Sequence, residues 1–155
     1  MISHTPANPA PPVRRRPLGL PVLALIGLAA LGLPRVILHD LHIIEEMQPS
    51  SWFLALAPVA VWIAVAVAKK VPNPFLTVFM IGVFFGIMLV ITHQLLWDFA
   101  FAGNPPSLGD SGAGLLIPRI AAVFSGLATG SLMGAVGGLI ARGIHAVIRP
   151  KTPRA

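Results

Sequence analysis

Cysteine is absent from the 155 residues. Neither a disulfide framework nor thiol redox chemistry is open to the chain, which excludes small membrane enzymes that work through a reactive cysteine pair. Charge is scarce as well: 10% of residues are charged against 55% hydrophobic, and mean hydropathy is +0.83. A soluble domain carries about a quarter charged residues, so a water-soluble globule is excluded and the lipid bilayer is the expected partner. Acids are the rarer sign, five against eleven Lys and Arg, with a net charge of +6. The basic residues form no single patch among aromatics, so nucleic acid is not expected.

Long apolar runs are what the chain has. Four stretches meet the roughly 20 helical residues needed to cross a hydrocarbon layer about 30 Å thick: 18–38, 52–68, 75–97 and 114–140. They predict an all-α integral membrane protein of four transmembrane helices in an antiparallel bundle. The domain would be 17–148, between a Pro/Ala-rich basic tail over 1–16, containing "PANPAPP", and a basic tail over 149–155. Such composition predicts disorder for the first tail. Arg14 to Arg16 followed by an apolar run resembles a signal peptide, but no small-residue cleavage site follows, so the run is read as a span.

The charges between the spans are sorted. Nine of the eleven basic residues (Arg14, Arg15, Arg16, Lys69, Lys70, Arg142, Arg149, Lys151 and Arg154) fall on one side with no acid. All five acids fall on the other, with Arg35 and Arg119. The positive-inside rule then predicts both termini cytoplasmic, in the plasma (inner) membrane.

No Asp, Glu, Lys or Arg falls in the middle of any span, which argues against a coupled transporter. The outer loop "DFAFAGNPPSLGDSGAG" has serines but no histidine at a spacing that suggests a nucleophile and its base. Its "GDSG" is loop punctuation. No enzymatic activity and no cofactor is expected, a divalent metal being the one alternative.

The fourth span supplies the most regular pattern. In "SGLATGSLMGAVGG", Gly126, Gly130, Gly134 and Gly138 recur every four residues after Ala122, which places them on one helical face. In lipid, small residues let backbones approach closely and gain dispersion contacts. Gly82 and Gly86 of the third span, and the small-residue row Ala60, Ala64 and Ala68 of the second, offer partner surfaces. The glycine row therefore predicts packing within the bundle or self-association with a second copy or another membrane protein. A homo-oligomeric channel or facilitator is the alternative, with Ser125, Thr129 and Ser131 as hydroxyls on that helix. Trp62, in mid-span, is read as a packed aromatic whose indole N–H bonds a neighbouring helix. Asn73 and Pro74 read as the cap and first residue of the third helix.

Chemistry concentrates at "HDLHIIEE". If the first helix continues to Met47, Arg35, His39, His42 and Glu46 lie within an arc of about 60° at 100° per residue. His93 ends the third span nearby. His39, His42, Glu46 and His93 are the candidate metal ligands, suited to zinc or a similar ion. Histidines beside acids also suit a proton site. The plainer reading is an interfacial stripe, with Arg35 and Arg119 snorkelling and ion-pairing and Trp52 and Trp97 in an outer aromatic belt. His145 reads as a surface histidine.

Overall fold

A computed structural model describes residues 17–44, 48–109 and 112–148. Both tails, Glu45, Glu46 and Asp110 lie outside the described residues. Those described form helices and no strand: α1 Val22–Ala30, α2 Leu33–Asp40, α3 Pro49–Ala68, α4 Pro74–Leu95, α5 Trp97–Ala100 and α6 Gly112–Ile148. With α1 and α2 taken as one apolar run, four helices are long and apolar enough to cross a membrane.

The first span is not the continuous helix expected from Pro17 to Met47. Pro34 has no N–H to offer the carbonyl of Ala30, and its ring crowds that carbonyl. The chain tightens ahead of it: Leu31 N donates to Leu28 O at 3.2 Å and Gly32 N to Ala29 O at 3.1 Å. Such i to i+3 bonds mark a 3-10 turn. The helix restarts at Leu33. Gly32 fits because a Cβ there would come within 2.5 Å of the Phe85 ring. Leu28 O also accepts the Trp62 indole N–H at 2.7 Å, and Trp62 is fully buried with its ring 5.8 Å from Phe85.

The second half of this span stops at Asp40. His42 adopts φ +57°, while His42 N donates to His39 O and Ile43 N to Leu38 O, both at 2.9 Å. These paired bonds around a left-handed residue are a Schellman cap. Histidine takes the place glycine usually fills, so no glycine announces the stop.

The third span begins as read. Asn73 Oδ1 accepts from Leu76 N at 3.1 Å, with Pro74 opening the helix. The buried Thr77 hydroxyl lies 2.8 Å from Leu18 O and 2.9 Å from Asn73 O, tying the chain before α1 to the start of α4. Pro58 lies buried inside α3, and Pro118 lies inside α6.

Helix α4 touches every other helix, and its largest contact is with α6. Glycines make that contact close. A Cβ on Gly130 would fall on the Gly86 backbone, and one on Gly82 would fall on the Gly130 carbonyl. A Cβ on Gly134 would lie 2.8 Å from Phe79 O, and one on Gly138 2.7 Å from Phe75 O. Gly126 sits against Val90 Cγ2 at 2.7 Å by the same measure. Positions along α4 rise as their partners on α6 fall. Leu23, Phe53, Phe124 and Val147 stay exposed on the outside, whereas Asp40, Ser51 and Thr77 are buried polar residues. Large apolar side chains outside, with polar groups kept among the helices of an otherwise apolar core, is the arrangement lipid favours.

Candidate functional site

The polar residues gather at the end of the bundle where α2 and α4 stop. Val36 and Asp40 are one helical turn apart, so both face the neighbouring helices, and they are 5% and 3% exposed. A buried carboxylate needs partners, since desolvation without hydrogen bonds costs several kcal/mol. Asp40 has two. His93 Nδ1 from α4 lies 3.0 Å from its Oδ2, and His39 Nδ1 from the preceding position lies 3.5 Å from its Oδ1. When His93 Nδ1 carries the proton donated to Asp40, Nε2 is the ring nitrogen left for another partner.

Aromatic rings hold His93 in place. Its ring meets Trp97 edge-on at 5.5 Å and Phe101 at 6.1 Å, and those two rings are 4.7 Å apart. Arg119 from α6 covers the other side of this group, with its guanidinium carbon 4.9 Å from the Trp97 ring centre. Arg119 also lies 3.7 Å from Asp98, and its carbonyl accepts from Gln94 Nε2 at 3.0 Å. Asp98 is 84% exposed, so that ion pair adds little. Arg35 ties α2 to α3 through a 3.3 Å bond from Nε to Ser51 O.

Between α2, α4 and α6 these residues enclose an open cavity of about 300 Å³, with Arg35, His39, Asp40 and His93 facing Ser125 and Thr129. A second cavity of about 60 Å³ adjoins it and shares Arg35, Val36, Leu89 and Thr129. Its remaining walls include Pro58, Trp62, Phe85 and Met133.

The candidate metal ligands separate. His39 and His93 converge, but on Asp40, which the helical phasing left outside the stripe. His42 is exposed in the cap turn, and Glu46 lies outside the described residues. Among the described residues no group of three or more His, Cys, Asp or Glu is placed to hold a metal ion. The signal for Asp40 was available in its four-residue spacing from Val36, but only a known helix end shows that Asp40 belongs to the packed face.

The anchor residues divide as well. Trp52 is 58% exposed at the start of α3, as a belt residue should be, whereas Trp97 is 3% exposed. The helix ends at Leu95, and α5 folds Trp97 inward against His93. The packing residues Gly82, Gly86, Gly126, Gly130, Gly134 and Gly138 line the α4–α6 contact, while Ala122 lines the polar cavity. At the opposite end of α4, Arg142 and His145 line an open cavity of about 410 Å³ beside Asn73. There His145 is half-buried, and its Nε2 is shielded without a hydrogen-bond partner among the described residues, so one face of this surface histidine is turned inward. Compared with known proteins, the chain matches no protein-family model, no curated protein and no solved structure.

Proposed function

We propose that the chain is a multi-pass membrane protein acting as a non-enzymatic structural or accessory subunit in the plasma (inner) membrane of a bacterium. In this reading it is an antiparallel four-span bundle with both termini cytoplasmic. The observation that carries it is the backbone-close contact of α4 with α6, a glycine zipper whose partner lies in the same chain. Charge sorting supports the orientation. Lys69 and Lys70 follow α3, and Arg142 lies beside Asn73, all at one end of the bundle. Asp40, Asp98 and Arg119 lie at the other.

The missing cysteines make the test clean. Single-cysteine variants Lys70→Cys and Asn104→Cys are labelled in intact cells with a membrane-impermeant maleimide. Asn104→Cys reacts directly, and Lys70→Cys reacts only after permeabilisation. Equal labelling of both in intact cells overturns the orientation.

A second reading, a proton or divalent-metal site at the outer face, is favoured by Asp40 engaging two histidines. Metal analysis of the wild type against a His39→Ala, His93→Ala double variant decides the metal half. Equal metal content rejects it.

A further inference from the structure

The two cavities beside Arg35 adjoin across four shared lining residues, Arg35, Val36, Leu89 and Thr129, but differ in chemistry. The larger carries the charged and titratable groups Arg35, His39, Asp40 and His93 among apolar neighbours such as Val36 and Leu89, and the smaller, more apolar one runs toward Trp62, Phe85 and Met133. Arg35 stands at the junction and lines both. On the protein it uses Nε, which donates to Ser51 O. Among the described residues no carboxylate lies within ion-pair distance of its guanidinium.

Asp40 does not fill that role, because its two oxygens face His93 and His39. A planar guanidinium with terminal nitrogens to offer suits a phosphate or carboxylate group, which it grips with two parallel bonds. Ser125 and Thr129 stand across the cavity as hydroxyl donors, and both are exposed on the side of the bundle. The slot therefore opens sideways, toward lipid if the helices span a bilayer.

We propose that this slot binds a phospholipid of the surrounding leaflet. The phosphate lies against the Arg35 guanidinium with His39 and His93 beside it, and the first apolar segment reaches past Leu89 toward Trp62 and Phe85. A free inorganic anion has no use for the apolar chamber. A purely apolar molecule has none for Arg35. The inference rests on the four-span reading, which the cysteine labelling tests separately.

The experiment uses the full chain in nanodiscs of phosphatidylcholine doped with a labelled short-chain phosphatidic acid. Binding is measured for the wild type, for Arg35→Gln and for Arg142→Gln, whose side chain lies at the opposite end of the bundle. Arg35→Gln weakens binding by about tenfold or more, the loss expected of a charge-assisted two-bond contact. Arg142→Gln binds as the wild type does, and inorganic phosphate does not displace the lipid. Equal binding by Arg35→Gln overturns the proposal, and displacement by inorganic phosphate reassigns the site to a free anion and overturns it too.

If Arg35→Gln does not fold, wild-type protein is crosslinked to a phospholipid bearing a photoreactive headgroup and mapped by peptide mass. Adducts within residues 35–40, 89–93 or 125–129 support the site, and adducts confined to other segments reject it. Absence of lipid binding by the wild type, with the cysteine-labelling pattern as expected, rejects this site and leaves the four-span reading standing.

Discussion

Asp40 is a carboxylate held in a low-dielectric interior by ring nitrogens from two helices, so its environment sets the local energetics. Removing one partner leaves a buried acceptor unsatisfied, which costs about 1–3 kcal/mol. His93→Ala is therefore expected to destabilise the bundle by about 1–3 kcal/mol, read as an earlier midpoint in a denaturing-detergent titration. Asp40→Asn keeps an oxygen that accepts from His93 Nδ1, and the expected loss is smaller than for His93→Ala. A larger loss for Asp40→Asn would show that the carboxylate charge itself holds the site.

The residues of this site were visible in the sequence as a local excess of histidine and acid, but their grouping was not. Phasing a helix through to Met47 joined His39 to His42 and Glu46. The Schellman cap at His42 breaks that phase, and histidine, though more tolerant of a left-handed position than most side chains, marks it far less clearly than glycine would.

At the scale of elements, the α4–α6 pair separates glycines that are needed from glycines that are tolerated. Gly130→Ala drives a methyl into the Gly86 backbone, whereas nothing lies within 4 Å of a Cβ added at Gly143. Gly130→Ala is expected to lose about 1–3 kcal/mol, as overpacking does. Gly143→Ala should match or exceed the parent in the same titration, since alanine is the better helix former. Equal midpoints for the two would mean that the close approach contributes nothing.

The four-residue row was legible because helical period alone puts Gly126, Gly130, Gly134 and Gly138 on one face. Which helix they meet was not legible, since Ala60, Ala64 and Ala68 of α3 offered a small-residue row as well. Pro34 lies at the break in the first span, but the apolar run on both sides of it let the stretch read as one helix. Trp97 read as a belt residue because α5, only four residues long, has no periodic signature.

For the whole molecule, the glycine face lies against α4 inside the chain, so a second copy cannot use it without opening the bundle. Gly130→Leu with Gly134→Leu is thus expected to lower the yield of folded protein at every oligomeric state, rather than to convert an oligomer into a folded monomer. Native mass spectrometry from detergent checks this, and a stable folded monomer of the double variant would restore the self-association reading. Any homo-oligomer, channel included, would have to form through faces such as those carrying Phe53 or Phe124, which remain exposed.

Composition and the placement of charge by themselves determined that this chain belongs with lipid and has four helices able to cross it, because the transfer of apolar side chains and the exclusion of charge are additive along the sequence. Helical period alone likewise determined that the glycines share a face. Only the tertiary structure decided that α4 is the partner of that face, that Asp40 is the centre of the polar cluster, and that Arg35 looks into a slot of two chemistries. Those outcomes depend on where two helices end and how a third crosses them, and contacts between residues more than fifty positions apart, such as Asp40 with His93, leave no periodic trace in the chain.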